Sequence, residues 1–310
     1  MHPLTNMLHR NITLTSKVPY LMRAKVVSLR GTCTTATSSL LGVPSRPQAP
    51  CARTFKRMRP FSTTSSQSSG GKETSPPAVP ETPLYSSHIP TSGFQKLYIA
   101  GFSAATAFRD PERGDMVAAL GETTGTRALQ RLRRAMSADP VGRELLAAKP
   151  DIKEDSTRPD RLRRLPEGTF GREYARFLDH HGYSPDERAA VRFVDDAELA
   201  FVMQRYRQVH DFWHVLCGLP PTVLGELALK WFEMVQTRLP IAAFSGVVGP
   251  LSLSAQERKL LKEQYIPWAV RAAVKARPLM CVWYERSFEE PLELMRKRLQ
   301  IVTAPPMTAV

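Results

Sequence analysis

The side chains best suited to chemistry lie in one hydrophobic stretch, QVHDFWHVLCGLPPTVLGELALKW, which runs from residue 208 to 231. Its candidate metal ligands are His210, Asp211, His214 and Glu226. A carboxylate among leucines is costly to bury unless it is paired or bound to a cation. The stretch therefore predicts a site for a divalent metal. Zn²⁺ is the ion we expect with these nitrogen and oxygen ligands, although Fe²⁺ or Mn²⁺ could use the same set.

A helical hairpin would bring the four groups together. On a helix, His214 lies about 40° and Asp211 about 100° around the axis from His210. The break at Leu219-Pro220-Pro221 is short, so the next helix should return antiparallel to the first. Because position 220 is midway between 214 and 226, Glu226 should lie level with His214 on the returning helix.

Two other interpretations of these residues are open. His210 and His214 could be ordinary buried histidines, with Glu226 paired to Arg205. Alternatively, H-D-x-x-H has the spacing of the zincin motif, in which the acid activates water for hydrolysis. In a zincin-like hydrolase Asp211 would be that base, although it is one methylene shorter than glutamate. The gap of eleven residues from His214 to Glu226 is also tight for that arrangement.

The elements that must position these residues are helices. Apolar residues recur with helical periodicity from residue 94 onward, so the predicted fold class is all-α, a single domain with a metal-binding antiparallel helix hairpin. Capping patterns predict three helix starts, at Asp195 with Glu198, at Thr222, and at Ser254 with Glu257. Helices are predicted at 94–108, on either side of 123–125, at 172–182, from 195 to 217, from 223 to 238, from 254 with a kink or end at Pro267, and over SFEEPLELMRKRLQI.

The N-terminal segment differs in composition from the rest. Residues 1–80 hold eleven Lys and Arg residues against one acid, Glu73, whereas residues 81–310 hold 32 against 28, a charge of only +4. A basic, Ser/Thr-rich segment without acids is typical of a mitochondrial transit peptide, the alternative being a basic tail. The predicted organisation is a transit peptide at 1–68, a Ser/Pro-rich linker at 69–93, the helical domain at 94–302 and a tail at 303–310.

Composition also limits the partners. The core is nearly neutral and its basic runs contain no aromatic residues, which argues against nucleic-acid binding. No apolar run reaches the ~20 residues that span a bilayer, which favours a soluble or peripheral protein. The preferred membrane-facing segment is Leu239–Leu253, and the basic segments 129–136 and 161–166 are further candidates. A buried loop and solvated helix faces would have the same sequences.

Together with these residues, longer stretches of the sequence resemble the mitochondrial ubiquinone (coenzyme Q) biosynthesis protein 4 family. The family motif is HDxxH followed, after eleven residues, by a glutamate, and the four residues above match it without departure. The resemblance covers nearly the whole predicted domain, through HIPTSGFQKLYIAG, DMVAALGETTG, LPEGTFGREYARFL, RFVDDAELAFVMQRYRQVHD and IPWAVRAA.

The resemblance implies an all-helical protein attached peripherally to the matrix face of the inner mitochondrial membrane. It implies that the four motif residues bind a metal, usually assigned to zinc. It further implies organisation of the multi-enzyme coenzyme Q complex and C1 decarboxylation of 4-hydroxy-3-methoxy-5-polyprenylbenzoate, in some accounts with C1 hydroxylation. A non-catalytic, lipid-binding scaffold with a structural metal is the alternative.

The expected partners follow from this resemblance and from the residues. They are the other enzymes of the complex, the polyprenylated benzoate and quinone intermediates, inner-membrane lipid and further copies of the chain, with no nucleic acid. Tyr206 lies one turn before His210 on the same helix face. It could support the metal ligands from behind or simply pack in the core.

Overall fold

The structure is a computed structural model that describes residues 82–110 and 113–307. The transit peptide predicted at 1–68 lies outside the described residues, as does the first part of the linker predicted at 69–93. Within the two described ranges there is no β-strand, only an isolated bridge between Thr169 and Pro291, so the all-α prediction is confirmed. The helices are α1 Gly93–Arg109, α2 Gly114–Thr124, α3 Thr126–Ala138, α4 Pro140–Ala148, α5 Glu154–Thr157, α6 Pro159–Leu162, α7 Phe170–His181, α8 Ala197–Cys217, α9 Val223–Thr237, α10 Pro240–Val248, α11 Ala255–Leu260, α12 Ile266–Lys275 and α13 Leu292–Leu299.

Helix α8 is the longest of these helices, and most of its residues are buried. The Asp196 side chain caps it by accepting a hydrogen bond from the backbone N–H of Glu198 at 2.9 Å. The predicted cap, Asp195, is therefore wrong by one residue. The Asp195 carboxylate instead binds His88 and Lys96, so it ties the segment before α1 to the start of α8.

A short turn joins α8 to α9. Gly218 ends α8 with a φ of 70°, a left-handed conformation that glycine adopts without steric cost. Thr222 caps α9, as predicted, by accepting a hydrogen bond from the Gly225 N–H at 3.2 Å. The contacts between the two helices show that they run antiparallel. His214, near the end of α8, contacts Glu226 in the first turn of α9, and Tyr206, two turns earlier in α8, contacts Glu233, two turns later in α9.

Residues near the end of the chain donate hydrogen bonds to the last carbonyl groups of α8. The last carbonyl groups of a helix have no partner within the helix itself. Arg296, on α13, donates hydrogen bonds to the carbonyl oxygens of Val215 and Leu216 at 2.8 and 2.9 Å. The backbone N–H of Ala304 donates to the carbonyl of Cys217 at 2.8 Å. Part of the segment predicted as a tail thus packs against the hairpin.

Residues ahead of α1 also pack against the domain. The Tyr85 hydroxyl donates to the carbonyl of Val194 at 3.0 Å, and the Ser87 hydroxyl donates to the carbonyl of Val191 at 2.7 Å. The packed part of the chain is therefore longer at both ends than the predicted domain of 94–302.

The helix that begins at Ser254 changes its pitch before Pro267. Both hydrogen bonds of the predicted capping box between Ser254 and Glu257 are present. Leu261–Tyr265 then form a π-helical turn, and α12 begins at Ile266. A proline has no N–H to donate and its ring crowds the preceding turn, so the wider π turn accommodates it. The kink or end predicted at Pro267 takes this form.

In the described part of the chain, no helix combines the length and hydrophobicity required to cross a membrane. The preferred membrane-facing segment, Leu239–Leu253, forms α10 and a 3₁₀ turn. Ile241 is buried in it, while Val247 and Leu251 are exposed, so the segment belongs partly to the core and partly to the surface.

Candidate metal centre

The two arms of the hairpin bring three potential ligands together. His210 and His214 lie one turn apart on α8, and Glu226 lies in the first turn of α9; their ligand atoms are all within 4.8 Å of one another. His210 Nε2 is 3.3 Å from one Glu226 oxygen, and His214 Nε2 is 3.2 Å from the other. Ligands at about 2.0–2.1 Å from a tetrahedral Zn²⁺ are roughly 3.3 Å apart. The nitrogen–oxygen spacing therefore suits one small cation.

Each imidazole directs its other nitrogen toward an acceptor. His210 Nδ1 donates to a Glu233 oxygen at 2.6 Å, and His214 Nδ1 donates to the carbonyl of Leu219 at 3.1 Å. Metal-binding histidines typically make this second hydrogen bond, which orients the ring and fixes its tautomer. The buried Nε2 of His214 has no hydrogen-bond partner within the described residues, although it faces Glu226. The Nε2 atoms of both histidines and the two Glu226 oxygens therefore point into one small space, and this set of nitrogen and oxygen ligands fits a metal ion.

The fourth predicted ligand, Asp211, does not join this group in the structure. Its carboxylate accepts a hydrogen bond from Arg188 Nη2 at 2.7 Å, and each of the two side chains is only 10 % exposed. Arg188 also donates to the Tyr174 hydroxyl at 3.3 Å. The rotation of about 100° from His210 directs Asp211 toward the loop before α8. A ligand role for Asp211 stays a prediction, and a zincin-like hydrolase would need it as a free base, whereas here it is paired.

A second polar layer, which the sequence analysis missed, lies behind His210. Glu233 is completely buried and accepts hydrogen bonds from Lys230 at 2.7 Å and from the Tyr206 hydroxyl at 2.5 Å, in addition to the one from His210. Tyr206 thus supports the histidine through Glu233. The signal was available, since Glu226, Lys230 and Glu233 are spaced by four and three residues and share one face of α9.

Charges inside the site keep its carboxylates ionised. Burial and the Lys230 charge act to lower the pKa of His210, but the Glu233 and Glu226 carboxylates outweigh them and raise this pKa to about 9. Burial acts to raise the pKa of Glu233, but Lys230 and His210 lower it to about 2. The pKa of Glu226 lies well below its usual value, because His214 and His210 outweigh its burial. Both buried carboxylates are therefore ionised, which is the form in which a carboxylate binds a metal or supports a metal-binding histidine.

A narrow cavity adjoins two of the three ligands, His210 and Glu226. Its volume is about 40 Å³. Its polar lining residues include His210, Asp211, Glu226, Arg188 and Arg207. Its apolar lining residues include Val117, Ala118, Phe177, Met203 and Ile241.

Glu122, within the GETTG stretch of α2, fixes the loop that leads to Arg188. Its carboxylate accepts hydrogen bonds from the backbone N–H groups of Arg192 and Phe193, both at 2.8 Å. It also accepts one from the Arg207 side chain at 2.7 Å. One buried carboxylate therefore joins α2, α8 and the loop around the cavity.

Comparison with known proteins identifies the family of the chain. Residues 85–305 match the family model described as coenzyme Q (ubiquinone) biosynthesis protein Coq4. The chain belongs to the Coq4 family. It is 51 % identical over 224 residues to the mitochondrial ubiquinone biosynthesis protein COQ4 homologue of Bos taurus, across 72 % of this chain and 84 % of that one. The Homo sapiens homologue is 50 % identical over 225 residues, across 73 % and 84 % of the two chains.

Two further comparisons are with a curated relative of lower identity and with a solved structure. The mitochondrial COQ4 of Coprinopsis cinerea is 43 % identical over 235 residues, across 74 % of this chain and 81 % of that one. A Nostoc punctiforme crystal structure, described as a ubiquinone biosynthesis protein, has a TM-score of 0.53 at 21 % identity and covers 66 % of this chain and 97 % of that one. This second likeness concerns the fold alone.

Proposed function

We propose that this member of the Coq4 family acts in ubiquinone biosynthesis as a metal-dependent carboxy-lyase. It removes the C1 carboxylate of 4-hydroxy-3-methoxy-5-polyprenylbenzoate. The observation that carries the proposal is the convergence of His210, His214 and Glu226 beside a largely apolar cavity. The proposed ion is Zn²⁺. Asp211 becomes its fourth ligand when the Asp211 carboxylate leaves Arg188 and binds the metal.

The cavity offers both kinds of surface that such a substrate needs. Its apolar side suits a substituted ring, and two guanidinium groups, those of Arg188 and Arg207, belong to its polar side. Guanidinium groups bind carboxylates through paired, charge-assisted hydrogen bonds. If Asp211 turns to the metal, Arg188 is left free to take the substrate carboxylate in its place.

The chemistry requires an electron sink and a dry, shaped site. A bound divalent ion would supply Lewis acidity toward a substrate oxygen. The chain's own residues bind the ring, hold the carboxylate and keep bulk water away. Cleavage of the bond between C1 and the carboxylate releases CO₂ and leaves an electron pair on C1. A proton takes that position in simple decarboxylation. In the oxidative form, water supplies the oxygen of a hydroxyl group at C1, and O₂ accepts the two electrons and leaves as H₂O₂.

The decisive test measures metal content and turnover in the same preparations. Glu226→Gln keeps the size of the side chain but removes its charge, so both metal binding and CO₂ release from the carboxylated precursor should fall to background. Glu144→Gln is the matched control, because that side chain is 53 % exposed on α4 and should leave both unchanged. Full turnover by metal-free Glu226→Gln protein would refute the metal-dependent mechanism.

The ligand arrangement also supports a second function, organisation of the coenzyme Q enzyme complex. The ligands come from both arms of the hairpin, so a cation would fasten α8 to α9 even without taking part in chemistry. We propose that the chain does both. His214→Ala should abolish decarboxylation while the complex still assembles on the chain. Retained decarboxylation in this variant would refute a catalytic role of the metal site and leave organisation of the complex as the role that the hairpin supports.

The proposed place of action is the matrix face of the inner mitochondrial membrane, with peripheral attachment. The relatives are named mitochondrial, and the polyprenyl tail of the proposed substrate partitions into lipid. The proposed partners there are the other enzymes of the pathway, their polyprenylated intermediates and further copies of the chain. Alkaline carbonate should release the protein from mitochondrial membranes, and retention in the pellet would contradict peripheral attachment.

A further inference from the structure

Helix α1 exposes the side chains that a soluble protein usually buries. Folded chains place most of their phenylalanine and leucine side chains in the interior. In α1, five large apolar side chains are more than half exposed: Phe94 at 80 %, Leu97 at 71 %, Tyr98 at 67 %, Phe102 at 56 % and Phe108 at 57 %. The outward side of this helix is therefore its hydrophobic side.

The fully buried residues of α1 are small. They are Ser103 and Ala107, on the side of the helix that packs against α2. The Ser103 hydroxyl lies 3.9 Å from the sulfur of Met116 on α2. Small residues allow two helices to approach closely, so this contact leaves no room for the large side chains. The packing against α2 thus leaves the large side chains of α1 on its outer side.

The exposed residues form a continuous stripe. At 100° per residue the five large side chains, together with Gly101 and Ala105, cover about 140° of the helix surface. The large side chains expose on the order of 600 Å². That area equals the upper end of the range for the largest apolar patch on a typical monomer, ~300–600 Å². We name these seven residues the α1 face.

One cation borders the α1 face. Arg109 lies about 60° around the helix axis from Phe94, within the arc of the stripe, whereas Lys96 is on the opposite side of the helix and pairs with Asp195. A helix with an apolar stripe of Phe, Leu and Tyr and a polar opposite side is the pattern of a helix that lies in a membrane interface.

We infer that the α1 face is the surface by which this protein lies on a lipid bilayer. The helix axis runs along the membrane plane, and the aromatic side chains enter the boundary between headgroups and acyl chains. A specific pair of copies buries about 600–1,000 Å² on each partner, so the stripe alone reaches only the lower end of that range. The inference rests on the peripheral attachment proposed above and assigns it to α1 in place of Leu239–Leu253.

The position of α2 connects the α1 face with the candidate metal centre. Helix α2 contacts α1, and it contributes Gly114, Val117, Ala118 and Gly121 to the cavity wall. A bilayer on the α1 face therefore lies one helix away from the cavity. This arrangement suits a substrate whose tail stays in lipid while its ring enters the protein.

Vesicle flotation of the full chain tests the inference. Phosphatidylcholine vesicles at high salt are the probe, because they suppress attraction to the basic N-terminal segment. The wild type should float, and the triple variant Phe94→Ser/Leu97→Ser/Phe102→Ser should bind at least about tenfold more weakly, since three apolar side chains are lost. The variant Phe94→Leu/Phe102→Leu should retain binding. Equal flotation of wild type and triple variant, or no flotation of either, would overturn the inference.

The matched control removes apolar residues elsewhere. Val274 and Leu294 are 72 % and 58 % exposed on α12 and α13. The variant Val274→Ser/Leu294→Ser should float like the wild type. A loss as large as that of the triple variant would mean that exposed apolar area in general, and not the α1 face, attaches the chain.

A single fluorophore reports which side touches lipid. Gly101 lies in the α1 face, and a side chain added there meets no atom within 4 Å. In a chain with Cys33→Ser and Cys51→Ser, an environment-sensitive dye on Gly101→Cys should shift to the blue with vesicles, whereas a dye on Val274→Cys should not. A shift at Val274→Cys alone would place the membrane on another face.

Two further measurements distinguish the inference from its alternatives, which are a second copy of the chain on the α1 face and a failure of the proposed activity. Light scattering that shows a wild-type dimer, a monomeric triple variant and no vesicle binding would assign the α1 face to a second copy and overturn the inference. Turnover of a short-chain, water-soluble analogue of the precursor should be equal in wild type and triple variant. If vesicle binding succeeds and this turnover fails in both, the proposed activity is wrong and the inference on α1 stands.

Discussion

The α8–α9 hairpin and helix α1 depart from the usual distribution of polarity in opposite directions. The hairpin buries carboxylates such as Glu226 and Glu233, whereas α1 exposes large apolar side chains such as Phe94 and Leu97. Each placement is unfavourable for a folded chain in water alone. A cation would relieve the first and a lipid surface the second. These two departures are the basis of the proposed metal site and of the proposed membrane surface.

Removal of the central buried carboxylate should have the largest effect. Glu233→Ala leaves the Lys230 ammonium buried without its anionic partner, so the free energy of unfolding of metal-free protein should fall by about 3–5 kcal/mol. Urea unfolding followed by circular dichroism measures this change. Glu144→Ala on the surface should change it by less than ~0.5 kcal/mol. Similar small losses in both variants would mean that the buried charges are not coupled as described.

A cysteine placed in the α1 face should react with a thiol reagent at least about one hundred times faster than the buried Cys217 and Cys281. Cys217 and Cys281 are buried, and burial raises the pKa of both thiols, that of Cys281 to about 12. In the chain with Cys33→Ser and Cys51→Ser, a thiol reagent should react slowly, and addition of Gly101→Cys should introduce one fast site. Rapid reaction without Gly101→Cys would show that the core around Cys217 or Cys281 opens readily.

The hydrogen bond from His210 to Glu233 should set the metal affinity. Glu233→Gln retains an acceptor but loses the negative charge behind the imidazole, so zinc affinity should fall about 10–100-fold. Competition with a chromophoric chelator measures the affinity. Glu293→Gln, an exposed change on α13, serves as the control. Unchanged affinity in Glu233→Gln would mean that this second layer does not support the ligand.

The smallest expected effect concerns the exposed helix. Phe102→Ala should change the free energy of unfolding in solution by less than ~0.5 kcal/mol, because the side chain is 56 % exposed. Phe212→Ala, completely buried on α8, should cost about 3–5 kcal/mol. Thermal or urea unfolding compares the two. A cost for Phe102→Ala as large as that for Phe212→Ala would show that α1 contributes its large side chains to the core.

Local rules predicted the hairpin well. Proline and glycine positions, the Thr222 cap and equal spacing about residue 220 were sufficient to place Glu226 beside His210 and His214. These features act within one turn of helix or across a short loop. For the same reason the cap of α8 was misplaced by one residue, because Asp195 is held by partners about a hundred residues away.

Long-range pairing was beyond the sequence pattern. The angle of Asp211 on α8 was known, but its partner Arg188 lies on a loop whose course depends on the Glu122 hydrogen bonds. Periodicity likewise predicted helix α1 but not which side faces inward. Both outcomes depend on which neighbour an element packs against, and a single helix does not specify its neighbour.

The capping of α8 by Arg296 has a consequence for when the site can form. Arg296, about eighty positions downstream, donates hydrogen bonds to the carbonyl groups next to His214. A chain threaded into an organelle from its N-terminus, as the predicted presequence implies, delivers that arginine late. The ligand helix is therefore finished only after almost the entire polypeptide has arrived. If the site binds a metal as proposed, the ion would therefore be taken up in the compartment where the chain completes its folding.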